Sequence, residues 1–157
     1  MSQPGAEHKK LDPLAGSWTF TAKMWMDPSK PPSESKGTSE NKWIMDGRYL
    51  SQDVQGEMMG MKFAGHGLTG FDKAQGKYFG LWVDNFGTGY STSTGTGDQT
   101  GKVFTFIREE IDPVTKQKSK GKDVIRIESN DKYVMEMYKD EGGKEIKMME
   151  IVSTRKK

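Results

Sequence analysis

The chain of 157 residues contains no cysteine and no long apolar run. The missing cysteines exclude disulfides, thiolate zinc sites and a cysteine nucleophile. No apolar stretch approaches the roughly 20 residues of a membrane-spanning helix, and the first ten residues lack the apolar segment of a signal peptide. From the sequence as it stands we expect a cytoplasmic protein without a membrane span, or a periplasmic one if a leader has been removed.

An excess of one charge is also missing. The 24 Lys and Arg residues face 22 Asp and Glu, which leaves a formal net charge of +2. Nucleic-acid binding normally needs a basic surface that neutralises several phosphates, and here the basic residues are scattered, so no nucleic-acid partner is expected. The one basic run, Lys116–Lys122, is predicted to be a solvated hairpin loop.

The composition favours strands over helices. The chain has 19 Gly, 4 Trp, 5 Tyr and 7 Phe, and only 32% of its residues are hydrophobic. Many short strands joined by turns fit this composition, and the low apolar fraction fits a barrel wall that meets water on its outer face. The length indicates one domain. We predict a flexible N-terminal tail at 1–10, a single domain at 11–155 and a C-terminal tail at 156–157.

Turn signals recur every 10 to 15 residues and separate alternating or aromatic-rich segments. A short turn of helix is expected near residues 7–14, and the proline-rich segment 27–36 is expected to be an extended loop. An open sheet of ten strands would leave two unpaired edges, so we predict an all-β, closed or nearly closed antiparallel up-and-down barrel rather than a two-sheet sandwich. Such a barrel can hold one small ligand. The predicted strands are 16–26, 37–45, 48–56, 61–70, 77–84, 88–95, 102–109, 122–129, 132–139 and 144–153.

Two sequence features resemble a known architecture. Gly16-Ser17-Trp18 on the first strand and Arg155 after the last are similar to the calycin pattern of lipocalins and fatty-acid-binding proteins. The resemblance implies that Trp18 closes one end of the barrel with the Arg155 guanidinium stacked on it. The proline-rich loop implies that the helical lid of fatty-acid-binding proteins is missing.

A wider resemblance extends from about Leu11 to Arg155. The blocks "KWIMDGRYL", "GEMMGMKFAGHGLTGFD", "LWVDNFGTG" and "DVIRIESNDKYVMEMY" resemble a bacterial family of uncharacterised calycin-like proteins that carries a domain-of-unknown-function label. This resemblance supports the lipocalin-like fold and implies little about activity.

Strand alternation divides residues between two faces without saying which one is inside. On the fifth strand, either the face of Tyr78, Trp82 and Asp84 or the face of Phe79, Leu81 and Val83 looks inward. An aromatic wall that ends in a carboxylate is typical of a small-molecule pocket, and the alternative is that Trp82 is ordinary core. On the first strand, the residues expected to face inward are Trp18, Phe20, Ala22, Met24 and Met26.

Two carboxylates lie in the middle of the last two strands. If Glu136 and Glu150 face inward, they should pair with Arg126 or with a ligand, because an unpaired buried charge is costly. Facing outward, they are ordinary solvated residues. Inward carboxylates could also act as acid and base. The neighbouring Met135 and Met137 either line an adaptable binding surface or fill the core.

His66 lies in the glycine-rich segment "AGHGLTG", where a ligand or another backbone can approach closely. It is a candidate axial ligand for a haem or a proton relay, and the alternative is a hydrogen-bonded structural histidine. No set of residues has the spacing of a metal triad or a Ser/His/Asp triad.

The leading hypothesis is therefore a carrier or sensor that encloses a small, largely apolar molecule, such as a fatty acid or other lipid, without catalysis or a cofactor. We expect a monomer or a homodimer. The alternatives are an enzyme that uses interior carboxylates or His66, a haem barrel, and a packed scaffold that associates through exposed aromatics such as Trp25. The predicted ligand-binding residues are His66, Tyr78, Trp82, Asp84, Arg126, Met135, Glu136, Met137 and Glu150.

Overall fold

The structure, a computed structural model, describes residues 3–112 and 114–157 and forms one closed barrel. Each strand pairs antiparallel with its neighbours in sequence, and β1 also pairs with β10. The predicted all-β, ten-stranded up-and-down barrel is therefore confirmed. The elements are α1 (Ala6–Lys9), a turn of 3-10 helix (Asp12–Leu14), β1 (Gly16–Met24), β2 (Ser33–Ile44), β3 (Tyr49–Met58), β4 (Met61–Asp72), β5 (Lys77–Asp84), β6 (Ser91–Gly97), β7 (Val103–Ile111), β8 (Lys118–Ser129), β9 (Lys132–Glu141) and β10 (Lys144–Arg155).

Two strands begin earlier than the sequence predicted. β2 starts at Ser33, inside the segment 27–36 that was expected to be a loop, because the residues after the last proline pair with β1. β8 starts at Lys118, so most of the predicted basic loop is strand. There, the Lys120 amine lies 3.1 Å from the Glu109 carboxylate on β7. Cross-strand ion pairs of this kind allow a lysine-rich segment to join the sheet.

Tight turns hold the strands in register. The loops Met59-Gly60 and Gly142-Gly143 each have two residues, all with positive φ between 51° and 86°. This is the backbone of the type I′ turn, whose twist matches that of the flanking strands. A turn of fixed length fixes which residues pair, and the pairing determines which side chains enter the barrel.

The inward face of the barrel follows from this pairing, since directly paired residues point to the same side of a sheet. Trp18 is completely buried and pairs with Ser39 on β2 and with Arg155 on β10. Phe20, Ala22 and Met24 therefore point inward, as predicted. Met26 was also expected inside, but β1 ends at Met24 and the Met26 side chain is 74% exposed in the following loop.

The hydrophobic core fills only one end of the barrel, which we call the closed end; the opposite end is the open end. α1 and the 3-10 turn pack into the closed end. The buried His8 accepts a hydrogen bond from the Gly5 N–H at Nδ1 (3.1 Å) and packs edge-on against Phe71. The tail predicted for residues 1–10 therefore gives way to a helix at Ala6–Lys9. The core residues are Leu11, Leu14, Trp18, Leu50, Tyr78, Phe104, Phe106, Ile127 and Tyr133.

Candidate ligand-binding site

Trp18 and Arg155 lie together at the closed end. The Arg155 guanidinium carbon is 4.2 Å from the centre of the Trp18 ring system, and the guanidinium donates hydrogen bonds to the carbonyls of Ala15 (2.7 Å), Pro13 (3.1 Å) and Asn130 (2.8 Å). The position before this pair requires glycine. Gly16 has φ of +122°, and an added Cβ would lie 2.2 Å from the guanidinium. The Gly-x-Trp motif is therefore explained by the packing of the closed end.

Tyr78 also belongs to the closed end. Its hydroxyl donates to the backbone carbonyl (2.9 Å) and to a carboxylate oxygen (2.8 Å) of Glu7 in α1. Hydrogen bonds from Lys10 and Tyr78 lower the pKa of Glu7, whereas burial and the Glu7 contact raise the pKa of Tyr78. Tyr78 faces inward as one alternative predicted, but here it fastens the N-terminal helix to the barrel.

Four of the residues predicted to bind a ligand point to the outside of the barrel. Glu136 pairs with Glu150, and Arg126 pairs with Val134 next to Glu136, whereas Met135 on the opposite face is inside. His66 pairs with Asp53, and its Nδ1 lies 2.7 Å from the Asp53 carboxylate. The predicted place of His66, Arg126, Glu136 and Glu150 on the cavity wall is thus corrected by the register. A haem inside the barrel would not reach His66.

Glu136 is the centre of a polar network on the outer face. Its carboxylate accepts hydrogen bonds from the Tyr138 hydroxyl (2.8 Å), the Lys147 amine (3.3 Å) and the Arg126 guanidinium (3.3 Å). Burial alone raises the pKa of Glu136, but these three donors together lower it. Lys147 also bonds Glu150 at 2.9 Å, so the network links β8, β9 and β10 across the outer face.

On β9 and β10 the inner face of the open end is apolar and half-exposed. Met135 and Met137 point inward beside Ile151 and Met149 of β10. At the closed end Trp18 and Phe104 have no exposed surface, whereas these methionines keep part of their surface accessible. Met135 and Met137 therefore present accessible apolar surface inside the barrel, which Trp18 and Phe104 do not.

Trp82 anchors the aromatic part of this wall. Its indole covers two glycines of β4, because an added Cβ at Gly65 would lie 2.2 Å from the six-membered ring and one at Gly67 would lie 3.1 Å away. The indole N–H donates to the Asp84 carboxylate at 2.9 Å, and the other oxygen of Asp84 accepts the Phe86 N–H at 3.0 Å. The glycines of "AGHGLTG" thus make room for this tryptophan.

Two further rings extend the wall. Phe63 is within 15° of parallel to Trp82 with ring centres 6.3 Å apart, and Phe86 meets Phe63 edge-on at 5.4 Å. We refer to Phe63, Trp82, Asp84 and Phe86 as the Trp82 cluster. The sequence pointed to Trp82 and Asp84 but missed the two phenylalanines, since one lies on β4 and the other in the loop after β5.

The sequence patterns also did not predict an ion pair that lies inside the barrel. Arg108 and Asp123 are only 8% and 7% exposed, and an Arg108 Nη1–H donates to the Asp123 carboxylate. The Arg108 Nε lies 3.8 Å from the Glu110 carboxylate. Burial raises the pKa of Asp123, and the guanidinium opposes that rise. The available signal was the alternation of "FTFIR", which places Arg108 on the face of Phe104 and Phe106.

The candidate site is defined by inward side chains. Two shallow depressions, of about 440 and 460 Å³, lie beside Asp112 and Lys120 and over Thr19, Lys36 and Thr154, and neither is lined by the Trp82 cluster. Among residues 3–112 and 114–157, no group of three His, Asp or Glu side chains is arranged to hold a metal ion. Within the same residues, no helix is long and apolar enough to cross a membrane.

Fold and site together define a ten-stranded antiparallel barrel with one end packed and the other lined by half-exposed apolar and aromatic side chains. Residues 3–155 match the model of a family described as "Protein of unknown function (DUF1579)", and the chain belongs to that family. A search of curated proteins found no match.

Two solved structures are similar in fold. One is the crystal structure of Rv2717c from M. tuberculosis, with 17% identity, a TM-score of 0.74, and coverage of 99% of this chain and 100% of the other. The other is a redesigned β-barrel with 11% identity, a TM-score of 0.51, and coverage of 94% and 96%. At these identities the likeness concerns the fold alone.

Proposed function

We propose that this protein binds a small, largely apolar molecule in the open half of its barrel, as a carrier or sensor. The observation that supports this proposal is the change along the inner face from complete burial at Trp18 and Phe104 to partial exposure at Trp82, Met135 and Met137. Exposed apolar surface inside a barrel costs free energy that a bound apolar molecule would recover, at about 25 cal/mol per Å² covered.

The types of residue on this wall suit a site that adapts to its ligand. Methionine side chains are flexible and polarizable, so they can move aside and then repack around a bound molecule. Trp82 supplies a rigid surface on the opposite part of the wall, supported from behind by the β4 backbone.

A fluorescence titration with the neutral probe N-phenyl-1-naphthylamine tests the proposal, with two variants that place the same bulky side chain on opposite faces of β9. Met137→Trp fills the interior and should reduce probe affinity about tenfold or more. Tyr138→Trp, one residue further on, points outward and should leave the affinity unchanged.

Equal probe affinity in the two variants, or no binding by the unmodified protein, would overturn this proposal. Circular dichroism and thermal unfolding confirm that each variant folds. If Met137→Trp fails to fold, Met137→Phe makes a smaller change to the same wall and should weaken the probe in the same direction.

A further inference from the structure

The charge of the inner wall carries information about the ligand. Asp84 is half-exposed at the open end, and its two carboxylate oxygens accept one N–H each, from the Trp82 indole and the Phe86 backbone. Among the residues that the structure describes, the Asp84 carboxylate has no lysine, arginine or histidine nitrogen within ion-pair distance. Both donors are neutral, so no opposite charge compensates the carboxylate, and it keeps spare lone pairs.

Two of the inward cations are already paired with carboxylates. Arg108 is bonded to Asp123 and lies near Glu110. Lys139, which the register also places on the inner side near the rim, forms an ion pair with Glu141. To reach Arg108 or Lys139, a ligand carboxylate would have to displace an acidic partner, and Asp84 would repel it.

The Asp84 carboxylate belongs to a cluster of aromatic residues. Trp82 bonds it directly, Phe63 lies near-parallel to Trp82, and Phe86, 40% exposed, stands edge-on to Phe63 in the adjoining loop. Aromatic faces attract cations through their quadrupoles, and the attraction is strongest for indole and for partly desolvated sites. A carboxylate bonded to the indole of this aromatic cluster is therefore suited to a positively charged nitrogen that carries an apolar body.

Resting on the proposed function, we propose that the ligand is an amphipathic cation, an amine or quaternary ammonium with an apolar body. The nitrogen binds at the Trp82 cluster, and the body extends along Met135 and Met137. This ligand class differs from the fatty acid that the sequence suggested, because the inner wall presents an uncompensated carboxylate where a fatty acid would need an uncompensated cation.

Three competitors with the same twelve-carbon chain test the charge preference. Dodecyltrimethylammonium, dodecanol and dodecanoate, each below its micelle concentration, displace N-phenyl-1-naphthylamine from the protein. We expect the cation to bind about tenfold tighter than the alcohol, and the carboxylate to bind more weakly than the alcohol.

Two variants locate the effect. Asp84→Asn retains an acceptor for the Trp82 N–H but removes the charge, so the advantage of the cation should disappear while dodecanol affinity stays the same. Asp53→Asn, which removes an outward carboxylate, should change neither. Phe86→Leu leaves the barrel wall intact and should weaken the cation about threefold, which provides a second test if Asp84→Asn folds poorly.

The outcomes separate the two proposals. Dodecanoate binding tighter than the cation, or a cation affinity unaffected by Asp84→Asn, would reject the amphipathic cation while displacement by dodecanol still supported an apolar site. Failure of the probe to bind would reject both proposals.

Discussion

Removal of one partner of the Arg108–Asp123 pair is the perturbation whose effect on stability the structure specifies best. Asp123→Leu leaves the Arg108 guanidinium inside the barrel without its hydrogen-bonded partner, and arginine cannot lose its proton to avoid this cost. Breaking a buried ion pair in this way costs about 3 to 5 kcal/mol. Glu110, at 3.8 Å from Nε and 43% exposed, remains as a partial partner, so the lower end, about 3 kcal/mol, is expected.

The reverse change should behave differently because Asp123 can take up a proton. In Arg108→Met, burial of Asp123 is no longer opposed by the guanidinium, so its folded pKa lies further above its unfolded value. The folded state then binds the proton more tightly than the unfolded state. The variant therefore loses stability as pH rises from the unfolded pKa of about 4 through the folded pKa, and it recovers stability on acidification.

The assay is thermal unfolding by circular dichroism at several pH values. For a chain of this length, 1 kcal/mol corresponds to about 3 °C in Tm, so Asp123→Leu should unfold about 9 °C lower near neutral pH. The double variant Arg108→Met, Asp123→Leu should recover most of the lost stability, because an apolar pair of similar volume replaces the ion pair and leaves no buried charge unpaired. A loss below about 1 kcal/mol in both single variants would refute a buried, interdependent pair.

Two further predictions concern the packing of each end. Gly65→Ala should destabilise the protein by about 1 to 3 kcal/mol, because the new Cβ would lie 2.2 Å from the Trp82 ring. Gly89→Ala is the control and should change the free energy of unfolding little, because no atom lies within 4 Å of its added Cβ. Equal urea midpoints for the two variants would contradict this packing. Tyr78→Phe should cost about 1 to 2 kcal/mol through its lost bonds to Glu7. The lowered pKa of Glu7 stabilises the fold above about pH 4.5, and this contribution is lost as pH falls through the folded pKa. Tyr78→Phe should therefore partly flatten the acid limb of a plot of Tm against pH, because the Lys10 bond to Glu7 remains, and an unchanged limb would contradict the contact.

Much of the barrel could be predicted from local patterns. Turn residues and two-residue alternation are short-range features, so the number of strands and their order followed from the sequence. The stacking of Arg155 on Trp18 was anticipated only through resemblance, since it joins residues at the two ends of the chain. The boundaries of β2 and β8 were missed because pairing with a neighbouring strand draws proline-flanked and lysine-rich segments into the sheet.

The candidate site depended more heavily on tertiary structure. Alternation alone assigns Glu136 and Met135 to opposite faces, and either face could have been inside. The residues that complete the Trp82 cluster and the partner of Arg108 come from different strands, so no spacing within one segment could reveal them.

The sequence by itself determined a closed barrel of ten antiparallel strands, because strand periodicity and turn chemistry are written in neighbouring residues. Only the tertiary structure decided which face of each strand looks inward. That choice depends on register around the whole ring and on burial of Trp18 beneath the N-terminal segment. Because of this choice, His66 and Glu136 lie on the outer face of the barrel, and Asp84 lies beside the aromatic wall.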